Sequence, residues 1–240
     1  MKRLGIIGGM GPAATADLFA RVVDMTDVDT DQEHIDIVVL NDPTVPDRTS
    51  FILGKDASPS FVPPLQDKAS QLEEMGCDVL VMPCNAAHVR HEEIASVLKR
   101  AKLLNILKET ASLANSLGCG CAGILATDGS IESGAYQRAF EGALMTSVVP
   151  DAEDQRLVMS AIYDYVKAGR KAPMGYLDAV CDHLIEKGAD CLILGCTELS
   201  LLGIDRVYDG VPVIDSMDAL AYASVLACDY PVKDILSEYC

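Results

Sequence analysis

Short runs of β-branched and aliphatic residues alternate along the whole chain with longer stretches whose apolar positions recur every three or four residues. The runs predict strands at Arg3–Ile7, Ile35–Leu40, Val79–Met82, Leu103–Ile106, Ala122–Ala126, Ser147–Val149, Cys191–Leu194 and Val211–Ile214. Helices are predicted between them near 12–25, 62–75, 86–100, 108–117, 131–144, 152–168, 175–187 and 217–228. Nearly continuous apolar strands are strands covered on both faces, so the alternation predicts an α/β fold of parallel sheets flanked by helices. One stretch breaks the pattern. Residues 41–61 carry Pro43, Pro46 and Pro59 and no clear period, which suggests a binding loop or lid.

The pattern also repeats. Gly76, Asp78, Leu80 and Cys84 have counterparts 112 residues on, at Gly188, Asp190, Leu192 and Cys196. Gly5-Ile6-Ile7 is echoed by Gly123-Ile124-Leu125, and the strand near Leu103–Ile106 by Val211–Ile214, in the same order. Three echoes in register predict two pseudo-symmetric lobes with a site in the cleft between them. The expected division is 1–106 plus 216–240 for the first lobe and 107–215 for the second, with the helices near 108–117 and 217–228 exchanged.

Composition narrows the partners. The 240 residues hold 36 acids against 19 bases, a net charge of −17, which repels nucleic acid and anionic lipid surfaces. No apolar run approaches the ~18 residues of a membrane span. The run after Met1-Lys2-Arg3 ends at Gly8-Gly9, short of the ~7–15 residues of a signal core. Nine cysteines without such a signal predict reduced thiols in a cytoplasmic protein.

Most of those cysteines read as small buried hydrophobes. Cys119-x-Cys121 lacks the second ligand pair of a zinc site, so no metal is expected. Cys84 and Cys196 differ, because each follows a predicted parallel strand and precedes a predicted helix, where open α/β sheets bind ligands. Asn85 and Thr197 are suited to capping those helices, whose positive ends would favour thiolate. Ionising a thiol of pKa ~8.5 at pH 7 costs about 2 kcal/mol, and a helix terminus can supply much of it. One thiol on each side of a small substrate is an arrangement for removing a proton from one face of a carbon and returning one to the other, that is, racemisation.

At these residues the chain resembles the aspartate/glutamate racemase superfamily, and within it the aspartate racemase group that works without pyridoxal phosphate. The matching segments are Gly8–Pro12 with Thr15, Pro46–Thr49, Pro83–His88, Thr127–Tyr136, Tyr165–Gly169 and Leu194–Leu199, spread from end to end of the chain. The resemblance implies Cys84 and Cys196 as the acid–base pair, and Arg48 and Lys167 as the cations that hold substrate carboxylates. It implies Asn85, Thr127 and Thr197 as polar lining, Met10 and Gly11 as the first loop, and Thr49, His88 and Glu198 in support. It further implies a small acidic amino acid as substrate, aspartate before glutamate, no cofactor, and a homodimer. Glu198 stands where related glutamate racemases usually have His, and Ala86 where the family commonly has Thr.

Other readings compete. Gly9-Met10-Gly11-Pro12-Ala13-Ala14 fits G-x-G-x-x-A, the outline of a dinucleotide site in an oxidoreductase, although the nearest acid, Asp42, lies 31 residues beyond Gly11. One alternative is that Cys84 and Cys196 close a regulatory disulfide, and another is that the scaffold binds an acidic amino acid without reaction. Arg48 could pair with Asp42 or Asp47, Lys167 could be a solvated helix end, and His88 could pair with Glu92 at i,i+4.

Overall fold

The structure, a computed structural model, describes residues 1–55 and 58–239. Its first half runs β1 (Leu4–Gly8), α1 (Pro12–Met25), β2 (Ile37–Asn41), α2 (Arg48–Ile52), α3 (Val62–Glu74), β3 (Val79–Val81), α4 (His91–Ala95), β4 (Lys102–Leu103) and α5 (Ile106–Ser116). The second runs β5 (Cys121–Leu125), α6 (Asp128–Glu132), α7 (Ala135–Gly142), β6 (Thr146–Val148), α8 (Ala152–Ser160), α9 (Asp178–Glu186), β7 (Cys191–Leu194), β8 (Val207–Tyr208), β9 (Val211–Asp215) and α10 (Ser216–Ala227).

The first sheet is parallel in the order β2-β1-β3-β4, and the second is β6-β5-β7-β9-β8, parallel except for β8. The shared order 2-1-3-4 and 6-5-7-9 is the topological form of the sequence repeat. The fold is therefore α/β with two lobes, each a parallel sheet flanked by helices. Among the described residues, no helix is long and apolar enough to cross a membrane.

Local chemistry sets the helix starts. Pro12 opens α1, where its missing N–H is harmless. Asn105 caps α5 by accepting from Leu107 and Lys108 N–H, and Asp215 caps α10 by accepting from Met217 N–H. The six residues from Ser216 to Ala221 are all buried, so α10 is covered on nearly every side rather than along one stripe. It packs against α1, α5, β3 and β9. Conversely α5, which follows the first sheet, packs against α7 and β9 of the second. The largest core accordingly draws on both halves, joining Leu4, Ile6 and Val81 to Ile124, Ile193, Ile214 and Leu220.

Four predicted elements differ from the structure. Residues 86–100 form a 3₁₀ turn over Ala86–Arg90 and then only the short α4, because His88 turns its ring inward between Cys84 O and Leu104 O. The helix near 131–144 breaks at Gly134, whose φ of +65° belongs to the left-handed region. The helix near 152–168 ends in a π turn over Ala161–Val166. Segment 41–61 contains α2, begun by an Asp47 side chain that accepts from Ser50 N–H; its residues 56 and 57 lie outside the described residues. The two-residue strand β8 was not expected.

A charged network clamps α10 between the lobes. Arg21 of α1 reaches Asp215 at 2.8 Å, Asp218 at 2.5 Å and Asp17 at 2.8 Å, while Arg206 holds Asp218 from the other side at 2.8 Å. Burial, with Asp218 alongside, pushes the Asp215 carboxyl up, and Arg21 opposes the rise. Arg21→Ala leaves two buried carboxylates facing each other and should cost about 2–4 kcal/mol, below the fully buried limit because the arginine keeps some exposure. A raised carboxyl penalises folding where it must ionise, so the deficit should be largest near neutral pH and shrink as pH falls. Urea unfolding at neutral and mildly acidic pH measures both.

Candidate active site

β3 and β7 occupy equivalent central places in their sheets, and each ends a few residues before a buried cysteine, Cys84 or Cys196. Both thiols line one cavity at the carboxyl ends of the strands, together with Met10, Arg48, Thr49, Asn85, Thr127, Lys167, Thr197 and Glu198. Of the residues expected there, Gly11 and His88 lie just outside. Gly11 stands beside the mouth, where a Cβ would come within 3.9 Å of Glu198 Oε1. His88 is buried behind Cys84, with Nδ1 2.9 Å from Cys84 O. Burial lowers its pKa to about 4, so at neutral pH it positions the turn as an uncharged ring. Glu92 contacts His91, 3.4 Å away, rather than His88.

The capping roles expected for Asn85 and Thr197 are replaced by others. Neither makes a side-chain cap hydrogen bond, because the turns that follow are 3₁₀ and of four or five residues, too short to present a strong dipole. Asn85 instead spans the cleft: its Nδ2 donates to Ser216 Oγ at 3.0 Å and its Oδ1 accepts from Tyr136 Oη at 2.5 Å. Tyr136 is fully buried against Gly195, where a Cβ would lie 2.8 Å from the ring. Glycine before Cys196 is thus the residue that admits the ring. Thr197 Oγ1 donates to Glu198 Oε2 at 3.4 Å.

Arg48, the first residue of α2, is only 8% exposed and pairs with neither Asp42 nor Asp47. Its Nη atoms donate to Val45 O, Pro46 O and Met10 O, while its Nε–H has no partner. Its charge lies beside the Cys84 sulfur. Lys167, at the end of the π turn, is no solvated helix end. Its Nζ is 2.9 Å from Glu198 Oε1 and 5.3 Å from the Tyr163 ring centre, and it senses both cysteine sulfurs. Cys196 Sγ donates to Glu198 Oε2 at 3.0 Å. Burial, followed by the Glu198 carboxylate, holds the Cys196 thiol well above its ordinary range, against the opposing pull of Lys167. The helix-terminus effect anticipated for this thiol is missing, because only a four-residue 3₁₀ turn follows it.

Sequence reasoning missed Tyr163 and Asp47 as lining residues. Tyr163 stands four residues before Lys167, a cation–aromatic spacing that could have signalled it. Thr127 caps α6, with its Oγ1 3.1 Å from Ser130 Oγ, and α6 packs on α2 across the cleft. The dinucleotide reading loses its cradle: the Gly9 N–H that would face a phosphate donates to Thr15 Oγ1 at 2.9 Å.

Two α/β lobes, each contributing one thiol to a single polar cleft, make up the candidate site. The chain matches the Asp/Glu/Hydantoin racemase family over residues 7–223 and belongs to that family. It is 29% identical over 233 residues to the broad specificity amino-acid racemase RacX of Bacillus subtilis, covering 92% of this chain and 96% of that protein. The structure of Picrophilus torridus aspartate racemase superposes with a TM-score of 0.83 at 31% identity, covering 100% of this chain and 99% of the other. An aspartate racemase homologue from Pyrococcus horikoshii shares the fold at 19% identity and a TM-score of 0.77, over 95% of this chain and all of the other. The protein is an isomerase of the amino-acid racemase class.

Tyr136→Phe should leave Asn85 Oδ1 buried without its donor and cost about 1–3 kcal/mol. Thermal or urea unfolding against wild type measures the loss.

Proposed function

We propose that the chain racemises an acidic amino acid, aspartate in preference to glutamate, by passing the α-proton between Cys84 and Cys196 without pyridoxal phosphate. The observation that carries this reading is the convergence of two topologically equivalent thiols on one cavity that also holds Arg48 and Lys167. One thiolate removes the α-proton as the other thiol, on the opposite face, donates one to the planar carbanion. The pair ends with its protons exchanged and ready for the reverse direction. Arg48, buried with its Nε–H unpartnered, offers a charge-assisted hydrogen bond to a substrate carboxylate. Lys167 offers a second cation, which Glu198 holds in place until substrate enters. The working form is taken to be a cytoplasmic homodimer, as the resemblance implies.

Long-range repulsion of a dicarboxylate by the net charge of −17 is screened beyond ~8 Å at physiological salt, and at contact range Arg48 offers a substrate carboxylate a direct charged hydrogen bond.

Protein freed of pyridoxal phosphate and incubated with L-aspartate or L-glutamate in D₂O should deuterate the α-carbon and lose optical rotation together. Cys84→Ala or Cys196→Ala should lower racemisation by about 10²–10⁴-fold or more, with one-sided exchange retained at most. Racemisation persisting in the double variant would overturn the mechanism. Arg48→Ala should raise KM about 10- to 100-fold, the equivalent of ~1.5–3 kcal/mol for a charged hydrogen bond, and steady-state kinetics would show it. An unchanged KM would remove Arg48 from substrate binding.

A further inference from the structure

The second sheet carries another sulfur cluster at its opposite end. β5 and β7 run side by side, and their amino-terminal ends lie a full strand length from the active-site cavity. There the Sγ atoms of Cys119 and Cys191 and a carboxylate oxygen of Asp190 all lie within 4.8 Å of one another. Both cysteines are free, Cys191 fully buried and Cys119 9% exposed, while Asp190 reaches the surface. We propose that Cys119, Cys191 and Asp190 bind a thiophilic divalent cation of the zinc class.

The donor chemistry fits. Tetrahedral zinc at ~2.3 Å from each sulfur needs the two sulfurs about 3.8 Å apart, within reach of small side-chain rotations from the present spacing. Two thiolates with one carboxylate suit a soft or borderline cation and disfavour magnesium or calcium. Binding forms two metal–sulfur bonds and one metal–oxygen bond, breaks two S–H bonds and releases two protons to solvent. A water on the exposed side completes the tetrahedron, and the same side is the path of entry.

The carboxylate is already oriented. Asp190 Oδ1 accepts from Cys121 N–H at 2.9 Å, and Oδ2 accepts from Gly120 N–H at 2.8 Å. An ionised carboxylate has about four lone-pair sites, so capacity remains for a metal, and the backbone donors act as the outer hydrogen bonds that steer metal ligands. Those bonds alone do not account for the sulfurs. In the first lobe, Asp78 makes the matching contact to Arg3 N–H at 3.1 Å, and the residue after it is Val79, not cysteine. The staple is common to both lobes, whereas the thiols belong to the second. Cys119-x-Cys121 has no second ligand pair nearby in sequence; the partners of Cys119 come from 71 and 72 residues further along the chain.

A bound cation would tie the α5–β5 connection to β7. The test uses full-length protein with Cys84 and Cys196 replaced by serine, so that the active-site thiols do not compete, in a phosphine reductant. Titration with Co²⁺ should give a sulfur-to-cobalt charge-transfer band with tetrahedral visible absorption, saturating at one equivalent and displaced by Zn²⁺. The band should vanish when C119S and C191S are added. Zn²⁺ should release about two protons per equivalent in weak buffer and raise Tm in the protein that retains Cys119 and Cys191, a readout that needs no further variant to fold. No band, a band that survives C119S with C191S, or zinc binding without proton release and without a change in Tm would each overturn the proposal.

Discussion

Two strand ends in separate sheets can share a substrate only if something fixes the sheets' separation, and in this protein that is the packing of α5 and α10. Each helix follows one sheet in the chain and packs on elements of the other. A helix buried on nearly every side, as α10 is, has no solvent face on which to slide, so its position is over-determined by side-chain packing. Arg21 and Arg206 then hold its Asp218 from opposite sides. Asn85 extends the same constraint into the cleft. Its amide is held by Ser216 at the start of α10 and by Tyr136 from the second lobe, so the turn carrying Cys84 is referenced to the half that carries Cys196.

The electrostatics of the cleft differ sharply from those of the molecule. The chain is strongly acidic, yet the cavity gathers a guanidinium and an ammonium around two sulfurs. Arg48 gives its Nη hydrogen bonds to carbonyl dipoles, which orient the group without neutralising its charge. Lys167 is handled in the opposite manner, paired directly with a carboxylate. The two half-sites are therefore alike in backbone and unlike in charge. That asymmetry also falls on the thiols: Cys196 faces a carboxylate that holds its proton, and Cys84 faces a cation.

Much of this was legible in the residues. All eight predicted strands exist, because a strand covered on both faces announces itself as a continuous apolar run, and the 112-residue spacing of the glycines, aspartates and cysteines paired the halves. β8 escaped because two partly exposed residues make no run. α2 escaped because five residues cannot display a helical period, and it rests on a single Asp47 cap and on packing against α6. The helix drawn over 86–100 was too long because periodicity does not reveal that His88 is buried against two carbonyls. Within the site, Lys167 with Glu198 and Asn85 with Tyr136 are pairings 31 and 51 residues apart, and no local spacing encodes either.

The closed form of the cleft carries its own implication for a racemase. The cavity is about 20 Å³, room for a water and far too little for a four-carbon dicarboxylate. Glu198 occupies part of the space, taking a hydrogen bond from Cys196 and an ion pair from Lys167. An acidic substrate of the kind proposed would carry the same functional group, so its carboxylate would compete with that of Glu198 for Lys167. Such an exchange would keep Lys167 paired, while the released Glu198 carboxylate would retain only the Cys196 and Thr197 donors. Several elements border the cavity without belonging to either sheet, among them α2, which brings Arg48, α6, which brings Ser130, and the π turn that ends at Lys167. Both cysteines, by contrast, closely follow the central strands β3 and β7, so their positions are set by the sheets themselves.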